Sequence, residues 1–328
     1  GWIPLLGSLG IAIGYSVIVG WVVRSLAGSL TGEILTQDAA AFFAQANGDF
    51  GSIPWHLIVV AASAAMLMFG VTKGIEKVNK VLMPAFFILF AIIAVRVAFL
   101  PGAEKGYEFL FVPDWSKLLE PNTWVMAMGQ AFFTLSLGIG AIAIFGSYIG
   151  KERRLMGEAL NVTILDTFVA FVSGLIIFPA AFAFNVQPDS GPNLIFITLP
   201  NVFNSMPGGR LWGALFFIFM SFAAMSTVTA VFENILSCCM DKWGWSRNKA
   251  VAINLVLILV LSMPCLLGYN VLSHVSILGS DIMGFKDFIV SNNLLPIGSI
   301  IYLLFCVSKR GWGFKNFLKE ADTGEGMK

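Results

Sequence analysis

Eight apolar runs, each about as long as a bilayer core is thick, govern what this chain can fold into. They cover residues 2–30, 54–71, 82–100, 124–149, 160–184, 211–239, 250–267 and 281–307. An α-helix needs roughly 20 apolar residues to cross a hydrocarbon core of about 30 Å. Composition agrees: 57% of the residues are hydrophobic, 12% are charged and the mean hydropathy is +0.83, too apolar for a water-soluble chain of 328 residues. The period-two alternation of a membrane β-barrel is absent. The expected fold class is therefore all-α integral membrane, with about eight transmembrane helices.

Basic residues set the orientation. If the first span leaves the cytoplasm, the loops on the starting side carry Lys73, Lys77 and Lys80, then Lys151, Arg153 and Arg154, then Lys242, Arg247 and Lys249. The tail on that side adds Lys309, Arg310, Lys315, Lys319 and Lys328. The opposite loops carry Lys105, Lys117 and Arg210. The excess predicts that both ends of this sequence face the cytoplasm, in a cell inner (plasma) membrane. These lysines and arginines flank membrane segments, so the net charge of +1 gives no sign of nucleic-acid binding.

One span cannot be a regular helix throughout. The stretch Gln130-Ala-Phe-Phe-Thr-Leu-Ser136-Leu-Gly138-Ile-Gly140 places two glycines inside the apolar run 124–149. Glycine weakens a helix, and unwound backbone persists at membrane depth only where protein or a polar cavity surrounds it. A broken helix thus marks a candidate binding site. Ionisable residues inside the spans are functional candidates as well. Asp166 stands in the apolar stretch 164–172, where an uncompensated carboxylate is costly. Arg96 is expected to snorkel to the interface, and Asp287 is paired in sequence with Lys286. Ser226, Thr227 and Thr229 supply hydroxyls, which on a membrane helix serve packing, interhelical hydrogen bonds or a hard cation.

Other chemistries find little support. Cys238, Cys239, Cys265 and Cys306 have neither metal-ligand spacing nor a disulfide pattern and are expected as buried thiols; His56 and His274 read as isolated interfacial residues. No nucleophile elbow or metal triad accompanies them, so no enzyme and no organic cofactor are expected.

The order of motifs resembles the neurotransmitter:sodium symporter family, in its bacterial amino-acid transporter branch. The motifs are the broken helix from Gln130 to Gly140, Lys73-Gly-Ile-Glu76-Lys77, Phe196-Ile-Thr-Leu-Pro200 and Ser226-Thr227. The resemblance implies a leucine-transporter-like inverted-repeat fold, a family example of midplane sites between repeats. It aligns these spans with helices three to ten of the family. On that alignment 1–100 holds three helices of the first repeat and 101–121 an outer loop. The second repeat is 122–307, with its broken first helix and an outer loop near 185–209, and 308–328 is a cytoplasmic tail. The expected fold is then incomplete, without the first two and the last one or two helices. The opening Gly1-Trp2-Ile3-Pro4, which lacks an initiating Met, fits a natural protein that begins earlier.

Site residues follow from the resemblance. Tyr15, Phe133, Thr134, Ser136, Gly138, Ile139 and Val231 are expected to bind substrate. Thr134 and Asp166 are expected at one sodium ion, and Ala223, Ser226 and Thr227 at a second. Asp287 corresponds to an outer gate, and Tyr148 and Asp241 to an inner gate. The implied activity is sodium-coupled symport of an apolar or aromatic amino acid by alternating access. The alternative is a truncated, non-transporting remnant or a regulatory membrane subunit. Chloride is not expected to be required: Ala170 stands where chloride-dependent members differ, and Asp166 supplies a negative charge.

Overall fold

A computed structural model describes residues 2–48, 50–69, 71–147, 150–183 and 192–324. Among them no strand occurs. The helices are α1 (Trp2–Thr31), α2 (Ala39–Asn47), α3 (Ile53–Phe69), α4 (Val71–Ala98), α5 (Ala103–Phe111), α6 (Pro121–Thr134) and α7 (Ala141–Ser147). They continue with α8 (Leu155–Ala183), α9 (Leu199–Asn204), α10 (Gly209–Trp243), α11 (Arg247–Leu267), α12 (Ile282–Ile289), α13 (Leu295–Val307) and α14 (Phe314–Ala321). A wide π-type turn, Val290–Leu294, joins α12 to α13 without ending the helix.

Five described helical runs are long and apolar enough to cross a membrane: α1, α8, α10, α11 and Ile282–Val307. The other expected spans are interrupted or short. The run 82–100 continues into the following helix through a bend of 112°, at Pro101 and Gly102, where Gly102 has φ +88°. The run 124–149 is divided into α6 and α7, and α3 has 17 residues. An apolar run is therefore not always one straight crossing, because proline and left-handed glycine turn the chain at its end or within it.

The chain forms two compact units. The first contains the residues up to Ile11, Asp114–Ala170 and the segment from Gly284 onward; the second contains Ala12–Pro113 and Phe171–Met283. In the second unit α3 packs against α10 and α11, and α10 also packs against α4. Its interior holds an aromatic cluster in which Trp21 meets Phe43, Phe196 and Tyr269 edge-on at centroid distances of 5.3, 5.8 and 4.8 Å. Phe43 and Phe196 stack at 5.1 Å. Such pairs add about 0.5–1.5 kcal/mol each beyond the area they bury. The indole of Trp21 donates to Ser52 at 3.1 Å, so its one polar atom is satisfied.

Two expectations are corrected here. His56 is not isolated: it is fully buried, with Nε2 2.7 Å from the Ser262 hydroxyl. Only Cys239 and Cys265 are buried thiols, Cys238 and Cys306 being partly exposed. Arg247, one of the flanking basic residues, is also paired. Its guanidinium grips the buried Glu233 through Nη2–Oε2 at 2.6 Å and Nη1–Oε1 at 3.2 Å, while Nε donates to the Leu67 carbonyl at 2.6 Å.

Candidate functional site

The broken helix lies in the first unit, and its geometry follows from its sequence. Pro121 starts α6 at a position that needs no N–H donor. The helix ends at Thr134 in a Schellman arrangement: Leu137 N–H donates to Phe132 O at 2.9 Å and Ser136 N–H to Phe133 O at 3.0 Å. The residue in the left-handed conformation there is Ser136, at φ +52°, where glycine is usual. Gly138 at +81° and Gly140 at +83° keep the backbone unwound until α7 begins at Ala141. Gly138 is required for space as well. A Cβ there would stand 2.1 Å from the Leu295 carbonyl oxygen, and one on Gly298 would stand 2.2 Å from the Gly138 oxygen.

At the end of α6 the Thr134 hydroxyl donates to Asp166 Oδ1 at 2.8 Å. The structure thus brings together two residues 32 positions apart that sequence reasoning placed at one ion. The C-terminal end of α6 carries partial negative charge, so this is a favourable place for a cation. Phe133 is 36% exposed beside it, and Ile139 is buried.

The second unit holds the other set. On α10 the Ala223 carbonyl accepts from Ser226 Oγ at 2.8 Å and from Thr227 Oγ1 at 3.2 Å. Three oxygens therefore meet at one helical turn. Tyr15, half-buried on α1, shares a hydrogen bond with Thr227. Val231, one turn beyond Thr227, is buried.

The expected gate residues are less closely joined. Asp287 accepts from Ser291 Oγ at 3.0 Å and lies 3.9 Å from Lys286 Nζ. Asp241 is exposed near the end of α10, and Tyr148 lies outside the described residues. Sequence reasoning missed Glu233, although a lone acid in the apolar run 211–239 was a signal equal to Asp166.

A profile of the Sodium:neurotransmitter symporter family matches residues 37–321. The chain belongs to that family. It is 35% identical over 309 residues to YhdH, an uncharacterised sodium-dependent transporter of Bacillus subtilis, covering 93% of this chain and 68% of the relative. An uncharacterised sodium-dependent transporter of Haemophilus influenzae is 33% identical over 314 residues, with the same coverage of 93% and 68%. The chain is also similar to the crystal structure of MhsT in complex with L-phenylalanine, with a TM-score of 0.92 at 37% identity, over 100% of this chain and 75% of that one. The chain is an integral membrane protein with the leucine-transporter-like fold, of a family of sodium symporters rather than enzymes.

Proposed function

We propose that this protein is a sodium-coupled symporter of apolar or aromatic amino acids that works by alternating access. The observation that carries the reading is the helix broken at 135–140, with Thr134 hydrogen-bonded at its end to Asp166 at 2.8 Å. In this reading Thr134 and Asp166 bind one sodium ion, with the Thr134 hydroxyl turning a lone pair to the ion when its proton leaves Asp166. Ala223, Ser226 and Thr227 bind the second, through one carbonyl and two hydroxyls already gathered at one turn. All five ligands are oxygen, as a hard cation requires.

The amino acid is held by Tyr15, Phe133, Ser136, Gly138, Ile139 and Val231, together with Thr134. Phenylalanine in the similar MhsT structure supports an aromatic or apolar side chain. Ser136 supports the assignment on physical grounds: a non-glycine residue in the left-handed region costs of order 1–3 kcal/mol and collects at functional sites. Asp287, Asp241 and Tyr148 act at the gates. Both ends of the chain face the cytoplasm, and the half-buried Asp166 replaces chloride as the negative charge.

The test is uptake of radiolabelled L-phenylalanine by proteoliposomes containing the full-length protein. A tenfold sodium gradient and 100 mV supply about 1.4 plus 2.3 kcal/mol per ion, enough for roughly several hundredfold accumulation. Accumulation should require sodium and survive replacement of chloride by gluconate. Uptake indifferent to sodium refutes the symport; a strict chloride requirement refutes the role given to Asp166.

A further inference from the structure

We propose that Ser8 is a positioning residue for the unwound segment, holding the Ile139 carbonyl and with it the backbone from Gly138 to Gly140. Ser8 is fully buried on α1, within the same unit as the broken helix. Its hydroxyl has two acceptors: the Ile139 carbonyl oxygen at 3.0 Å, 131 residues away, and the Pro4 carbonyl of its own helix at 3.1 Å. Ile139 itself is 1% exposed. The carbonyl that Ser8 holds belongs to the residue between two left-handed glycines, at φ +81° and +83°. Glycine leaves those peptide planes free to rotate, so a fixed orientation needs an outside partner. Gly7 completes the dock. A Cβ at that position would stand 3.2 Å from Ile139 Cγ2, so the absent side chain lets the helix close on the segment.

One hydroxyl proton serves the two acceptors in turn. With the proton on Ile139 the serine ties the segment to α1, and its bond to Pro4 holds the hydroxyl within reach of both carbonyls. Alanine lacks this tie. Threonine keeps it, and cysteine, near serine in size, donates only weakly.

The inference rests on the transport reading only for its effect on substrate, and the test separates the two. Hydrogen–deuterium exchange is measured on the full-length wild type and on Ser8→Ala, Ser8→Thr and Ser8→Cys, alongside binding of tritiated L-phenylalanine. Ser8→Ala should raise exchange of the 135–140 amides about five- to tenfold, the scale of one buried hydrogen bond, without raising it in α10 or α11. The concentration of phenylalanine giving half-saturation should rise by a similar factor. Ser8→Thr should restore both, and where its extra methyl prevents folding, Ser8→Cys should fall between alanine and wild type. Unchanged exchange at 135–140 in Ser8→Ala, an equal rise in α10 and α11, or alanine-like behaviour of a folded threonine variant overturns the assignment. If the wild type binds no phenylalanine, that substrate assignment fails, while the exchange comparison still decides the role of Ser8.

Discussion

Gly138→Ala tests whether the unwound segment is specified by backbone sterics. Gly138 sits at φ +81°, where an L-residue with a Cβ loses about 1–2 kcal/mol. The new methyl would also meet the Leu295 oxygen at 2.1 Å, the Ser299 amide nitrogen at 2.8 Å and Ser299 Oγ at 2.9 Å. Two of these atoms are main chain of α13 and cannot rotate away. Relief requires α13 or the segment to shift by roughly 1 Å, and forcing extra volume into a packed site costs about 1–3 kcal/mol. The combined penalty is about 2–5 kcal/mol. At about 2–4 °C per kcal/mol this lowers the midpoint of thermal unfolding by roughly 4–20 °C.

The buried thiols of Cys239 and Cys265 supply the assay, since they react with a fluorogenic maleimide when the fold opens. Cys238 and Cys306, partly exposed, give the starting signal. The control is Gly146→Ala on α7, where a Cβ meets nothing within 4 Å. That change should be neutral or stabilising by up to about 1 kcal/mol, because alanine favours a helix. Gly298→Ala, which places a methyl 2.2 Å from the Gly138 oxygen, should show the steric part of the loss alone, about 1–3 kcal/mol. The double variant should cost less than the sum, since one shift relieves both contacts. Equal midpoints for Gly138→Ala and Gly146→Ala would refute the steric reasoning.

Two further predictions concern charge. Glu233→Gln leaves the Arg247 guanidinium beside a neutral amide, and breaking such a buried pair should cost about 3–5 kcal/mol. Adding Arg247→Met should recover part of that loss in the same thiol assay; an additive second loss would show that the ion pair is not the cause. In the segment that follows α1, Arg24 holds the Glu33 carboxyl below the usual glutamate range through hydrogen bonds of 2.7 and 2.9 Å. Because the folded form binds its proton less readily, the pair stabilises above the ordinary value of about 4.3 and is lost as pH falls through the lower folded value. Glu33 is 40% exposed, so the midpoint difference between wild type and Glu33→Gln should correspond to less than about 1 kcal/mol at pH 7 and vanish at acid pH.

The broken helix was legible because glycine spacing speaks directly to local backbone. Its detail was less so. The first left-handed residue is Ser136, which no propensity argument selects, since the Schellman hydrogen bonds of Ser136 and Leu137 decide where α6 ends. Helix pairing was legible only where a residue type named its partner. Asp166 implied compensation, and the chain provides it in Thr134. Glu233 and Arg247 could not be joined in the same way, because Arg247 also satisfies the rule for cytoplasmic flanks. His56 misled for a similar reason: a position at the start of a span names no partner, and only packing against Ser262 supplies one.

The two ion sets lead to one more prediction. Thr134 and Asp166 belong to one compact unit, and Ala223, Ser226 and Thr227 to the other, so either set can be altered without touching a ligand of the other. Asp166→Asn keeps the shape and an oxygen but removes the charge, whereas Ser226→Ala removes a hydroxyl that lies 2.8 Å from the Ala223 carbonyl. If both sets bind sodium and both ions are needed, the wild type should show a Hill coefficient near 2 for sodium-stimulated uptake, approaching 1 where one set fails. Each variant should raise half-saturating sodium by roughly tenfold, equivalent to about 1.4 kcal/mol of lost binding. The two differ in one respect: only Asp166→Asn removes a charge, so only it should allow added chloride to restore uptake. Restoration by chloride in Ser226→Ala, or an unaltered sodium response in either variant, would break the assignment of that set.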